Sequence, residues 1–168
     1  YLNFENASWT FNKEKLKENN LSSIASNVCD KVFHLTPVIH NELVVRDKLS
    51  SMSMSGSANL ITLMLNKSNL KNLGMEGHPP EFGIYLSIIK ANNLHVKNGD
   101  EYEFTMEKTK NKNLKKMYED FLSIIKKSKE AVSVSDIYAH FEKQPYGAKL
   151  GILPILLAVF YKSSEASC

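Results

Sequence analysis

The sequence predicts a mainly α-helical bundle with at most one short strand pair, and three observations carry that reading. Apolar residues recur at spacings of three and four through most of the chain. Proline and glycine punctuate it between those runs, and only residues 101–105 alternate as a strand would. At 168 residues the chain is long enough to close a core without disulfides or a metal.

Residues 1–20 are polar and rich in Asn and Lys, with Trp9 and Phe11 as expected anchors of an N-terminal arm. Leu21, Ile24, Val28, Val32 and Phe33 predict an amphipathic helix from Asn20 to about His34, ended by Pro37. Residues 39–55 read as a turn and then a helix with Leu43, Val44 and Leu49 inward. The serine-rich stretch 50–57 reads as low complexity or as a small-residue surface for close helix packing. Helices follow at about 58–66 and about 81–92, the second opened by Pro80 and Glu81. Beyond the Asn98-Gly99-Asp100 turn and the strand-like 101–105, Leu114, Met117, Tyr118, Phe121, Leu122 and Ile125 make the clearest stripe, over 113–127. Ser133 or Ser135 caps a helix to Lys143, 145–148 is a tight break, and a last helix runs from 151–154 to about Lys162. The expected organisation is the arm 1–20, a helical subdomain 21–97 and a three-helix subdomain 98–168, sharing one core.

Composition narrows the function classes. Apolar residues make up 43% and charged residues 23%, ordinary globular values. Cys29 and Cys168 are too few for a disulfide framework, and a reducing compartment, the cytoplasm, is expected. No charged, then apolar, leader opens the chain, and its most apolar run, 150–161, is far shorter than the roughly 20 residues a membrane span needs. No membrane partner is expected. Both ends read as boundaries cut from a longer protein, since the chain starts at Tyr1 and stops soon after an apolar run.

No complete catalytic or cofactor site is legible. Cys29, His34 and His40 do not match a zinc spacing, and neither a phosphate loop nor a serine nucleophile elbow is present. The two C-terminal helices and the break containing Gly147 resemble a helix-turn-helix, with the preceding helix completing a winged-helix-like unit. A DNA-reading version needs polar side chains on its second helix. Here that helix reads Ile152-Leu153-Pro154-Ile155-Leu156-Leu157-Ala158-Val159-Phe160, which predicts a buried structural helix.

Two features remain as candidate sites. Eight lysines (108, 110, 112, 115, 116, 126, 127 and 129) stand against Glu119 and Asp120, a pattern that suits either phosphate contact without base reading or a solvated helix face. Lys108, Lys110, Lys112, Lys115, Lys116, Lys126 and Lys127 are the candidate DNA contacts. Arg46, the only arginine, pairs with Glu42 one helical turn away or serves as a nucleotide sensor toward a neighbouring module. An independent enzyme would need Glu42, Arg46, His78 and Glu81 to converge on one pocket.

Three blocks together carry a resemblance: 37–43 with 46–51, 73–81 with 84–86, and 144–147 with 151–158. In order and spacing they resemble a helical region downstream of the phosphate loop in very large bacterial ATPases of phage-defence and restriction-type systems, such as the large BREX ATPase. The resemblance spans residues 21–161, and its motifs are turn glycines, helix-start prolines and a buried helix. It implies a non-catalytic, winged-helix-like accessory module that couples nucleotide state to a partner: the rest of the parent protein, other defence subunits, or DNA. ATP would bind in the parent, not in this segment. Such families carry an arginine-rich stretch after the Asn-Glu pair, where this chain has Arg46 alone.

Overall fold

The computed structural model describes residues 8, 10, 11, 13–15 and 20–165. Two compact units divide the chain, Tyr1–His34 and Leu35–Cys168.

In the first unit, β1 (Thr10–Phe11) pairs antiparallel with β2 (Glu14–Lys15) around Lys13, whose φ is +68°. Helix α1 (Leu21–Val32) starts where the Asn20 side chain accepts the Ser22 N–H at 2.8 Å. It ends with the Phe33 N–H bonded to the Cys29 carbonyl. Lys31 lies 3.5 Å from Glu14 and 5.8 Å from the Phe11 ring centroid. Trp9 lies outside the described residues.

The second unit opens irregularly. A turn and then a helix do follow one another over 39–55, but the helix expected to turn Leu43, Val44 and Leu49 inward is corrected, since it starts only at Ser51. Residues 36–50 are not helical. The Asn41 side chain accepts the Leu43 and Val44 N–H groups at 2.9 and 3.3 Å, closing a local turn that competes with the helix. Helix α2 (Ser51–Asn66) begins only at Ser50, which caps it by accepting the Ser53 N–H. The serine-rich stretch is therefore helix, and its small residues face inward. Ser53, Gly56 and Ser57 are buried, and a Cβ on Gly56 would stand 3.3 Å from Ile84 Cδ1. That close approach is what the small residues allow.

Helix α3 (Pro80–Ile84) continues as wider π-type turns over Tyr85–Lys90, where Ala91 and Leu94 donate to carbonyls five residues back. Strand β3 (His95–Asn98) then turns through Gly99, at φ +60°, into antiparallel β4 (Glu101–Phe104) with His95 opposite Phe104. With β1–β2 this makes two short pairs among the described residues, one more than expected. Residues 95–98 escape the alternation test because two of the four are His and Asn rather than strand formers.

Helix α4 (Lys112–Lys127) is capped by Asn111 and α5 (Val134–Glu142) by Ser133. Between α5 and α6 (Leu153–Glu165) the chain passes a cis Gln144–Pro145 bond and Gly147 at φ +60°. The oily C-terminal helix is sealed inside: Ile155 and Val159 are fully buried, with Ile152, Leu156 and Phe160 nearly so. It packs on α2 and β4, and the aromatic rings of Tyr118, Phe121 and Phe160 cluster at 5.4–6.4 Å. Mainly α-helical architecture is thus the observed class. No helix of the described residues is long and apolar enough to cross a membrane.

Candidate functional site: a charged cleft beside an apolar pocket

The 36–50 segment is flanked by concave surface of the second unit, and long-range hydrogen bonds hold it there. Asn41 donates to Ser87 Oγ at 2.6 Å, Asn111 to the Val38 carbonyl at 3.1 Å, and Asn113 to the Thr36 carbonyl at 2.9 Å. The Thr36 hydroxyl donates to the Tyr146 carbonyl. Gly151 N–H donates to the Arg46 carbonyl at 2.9 Å, and a Cβ on Gly151 would lie 2.4 Å from Val44 O and 2.7 Å from Arg46 O. Only glycine admits the loop this closely.

Two hollows flank the segment. An open cleft of about 490 Å³ is lined by Ile39, His40, Asn41, Glu42, Val45 and Arg46. An apolar pocket of about 170 Å³ lies among Pro37, Ile39, Val45, Ala148, Ile152 and Leu156, with Thr36, Gly147 and Lys149 completing its wall. Ile39 and Val45 line both, so the hollows adjoin.

Arg46 and Glu42 therefore share a cleft, but they do not pair. Among the described residues neither side chain makes a hydrogen bond or ion pair. The helical pairing expected for them fails because 41–48 is a turn and not a helix. Asp47, next to Arg46, is already matched, with Lys149 Nζ 2.9 Å from its carboxylate. His78 and Glu81 do not line the cleft, so the four-residue convergence an enzyme would need is corrected to two; His78 instead meets the Phe82 ring edge-on at 5.8 Å.

The lysines divide. Lys116 sits 3.3 Å from Glu119 and 3.7 Å from Asp120, and Lys115 donates to the Glu107 carbonyl at 3.0 Å. Lys108, Lys110, Lys112, Lys126, Lys127 and Lys129 are exposed. Lys112 and Lys127 stand at opposite ends of α4, roughly 20 Å apart at 1.5 Å per residue, with the two acids between them. Cys29 is exposed, and no group of three or more His, Cys, Asp or Glu among the described residues is arranged to hold a metal.

Sequence reasoning missed one polar cluster. His95 is buried, with Nε2 2.7 Å from the Ser68 carbonyl and Nδ1 3.0 Å from Tyr85 Oη. A carbonyl only accepts, so Nε2 carries the proton and Nδ1 accepts from the tyrosine. Burial holds the ring below the ordinary histidine value, partly opposed by the Ser68 bond. Burial, then repulsion from Tyr102, pushes the Tyr85 hydroxyl up to about 12. Phe104 stacks on the ring at 4.6 Å. The cluster ties the β3–β4 hairpin to the chain just past the end of α2. A lone histidine next to a strand-like run carried no spacing that would have flagged it.

No protein family, curated protein or solved structure matches the chain.

Proposed function

We propose that this chain is a non-catalytic helical interaction module of a large bacterial phage-defence-type P-loop ATPase, coupling that enzyme's nucleotide state to a partner. The three sequence blocks supply the family; the observation that favours a packing role is on α2. Met54 and Leu65 are exposed at 53% and 46%, with Ala58 exposed and Ile61 half-buried between them. Their four-three-four spacing is the seam along which helices interlock. It is left open while most of the more apolar α6 is buried inside the fold. In this reading α4, α5 and α6 form the helix-turn-helix-like, winged-helix-like unit, with α6 as its structural helix, and ATP binds in the parent protein.

The test starts from the reading frame that encodes the chain and asks for a phosphate loop upstream. The chain is then mixed with that P-loop portion and sized by light scattering. A complex is expected, and Met54→Glu with Leu65→Glu should dissociate it while leaving the far-UV circular dichroism unchanged. No upstream phosphate loop, or no association, refutes the proposal.

The runner-up, phosphate contact with DNA, has the exposed lysines at both ends of α4 in its favour and Glu119 and Asp120 against it. Duplex affinity that falls steeply with salt, and is lost in Lys126→Glu with Lys127→Glu, would select it instead.

A further inference from the structure

The geometry points to a binding site for a free apolar α-amino acid in the cleft and pocket that flank residues 39–46. Three features define what fits. Arg46 and Glu42 bring one positive and one negative charge to the same cleft, without an ion pair between them or to any described residue. On a helix, opposite charges four residues apart pair readily; the Asn41 turn takes the place of that helix here. A ligand that satisfies both carries an anionic and a cationic group, as the carboxylate and ammonium of an amino acid do. The guanidinium offers paired donors to the carboxylate, and the Glu42 carboxylate accepts from the ammonium.

The adjoining pocket sets the third requirement. Its volume of about 170 Å³ and its Ile39, Val45, Ile152 and Leu156 wall suit one aliphatic or phenyl group. A cavity of about 150 Å³ lined by such residues takes benzene. Lys149 on the pocket wall is held by Asp47 at 2.9 Å, and so it does not compete for the ligand carboxylate. His40, the other titratable group of the cleft, is exposed. The zwitterion sits in the cleft, and its side chain passes between Ile39 and Val45 into the pocket. Leucine and phenylalanine have the right shape; acidic and basic amino acids would bury a charge.

The site is built from backbone that the core fixes. Asn41 and Arg46 are tied to Ser87 and Gly151, so ligand binding does not have to order the loop that receives it.

The full chain, isotope-labelled at backbone amides and at Ile, Leu and Val methyls, is titrated by nuclear magnetic resonance with L-leucine and L-phenylalanine. Saturable shifts are expected at Ile39, Val45 and Ile152. N-acetyl-leucine and leucinamide, each lacking one charge, should bind at least about tenfold more weakly, equivalent to about 1.4 kcal/mol. Arg46→Gln should lose the discrimination against leucinamide, and Glu42→Gln that against N-acetyl-leucine. Both residues are exposed, so both variants should fold. No saturable shift, shifts confined to another part of the chain, or equal binding of the blocked compounds would overturn the assignment.

Discussion

Replacing Gly151 by alanine adds one methyl group where the structure has no room for it. The new Cβ would stand 2.4 Å from Val44 O, 2.6 Å from Leu49 Cδ2 and 2.7 Å from Arg46 O. Leu49 can rotate away, but the two carbonyl oxygens belong to the backbone of the 41–46 turn. Relieving the clash means moving that turn off the α6 entrance, which stretches the 2.9 Å bond from Gly151 N–H to Arg46 O. Overpacking of this kind costs typically about 1–3 kcal/mol, and the weakened hydrogen bond adds about 1 kcal/mol. The unfolded chain gives back about 0.5 kcal/mol, since alanine has less backbone freedom to lose. The net expectation is destabilisation by about 1.5–3.5 kcal/mol. Urea unfolding followed by far-UV circular dichroism measures it, as a lower midpoint at unchanged slope. Gly83→Ala is the internal control. It lies inside α3 with nothing within 4 Å of the added atom, so it should stabilise by about 0.5–1 kcal/mol. A Gly151→Ala protein as stable as the parent would refute the claim that loop and helix meet through this glycine.

Three further outcomes follow from the same geometry. Tyr146→Phe removes the 2.6 Å hydrogen bond that the buried hydroxyl donates to Asp120. Because Asp120 is partly solvated, the loss should be about 1 kcal/mol in the same assay. Folding lowers the proton affinity of His95, so between its folded value and about 6.5 the unfolded chain binds the extra proton and stability rises with pH. The contribution is complete above pH 6.5 and fades as the pH falls from there through the folded value. Urea midpoints should decline between pH 7 and pH 5, and His95→Gln should flatten that slope. Asn41→Ala removes the acceptor for two backbone N–H groups and the bond to Ser87, and should cost about 1–2 kcal/mol. An unchanged midpoint would mean the turn is held by something other than Asn41.

The helices that stand on their own periodicity were legible. The stripe through Leu114, Met117 and Phe121 places α4 within one residue of its observed start, because a cap and an amphipathic face are local properties. The burial of α6 was legible for a simpler reason: a run from Ile152 to Phe160 without a polar side chain has nowhere to go but inside. The strand β3 was not, since His95 and Asn98 are strand residues only by virtue of what β4 places opposite them.

The 36–50 segment shows where such reading stops, and why it stops at the candidate site. Its apolar residues Leu43, Val44 and Leu49 fit a helix, yet Val44 is fully buried while Leu43 is 57% exposed. The shape is decided by partners far along the chain: Ser87 for Asn41, Asn111 for Val38, Asn113 for Thr36 and Gly151 for Arg46. Separations of 46, 73 and 77 residues leave no trace in any local window. Helix propensity per residue amounts to a few tenths of a kcal/mol, whereas each of these bonds is worth about 1 kcal/mol. The tertiary bonds win, the helix is refused, and Glu42 and Arg46 are kept apart. A helix over 39–49 would have set them one turn apart as an ordinary surface ion pair; the turn that replaces it is what leaves both charges facing one cleft.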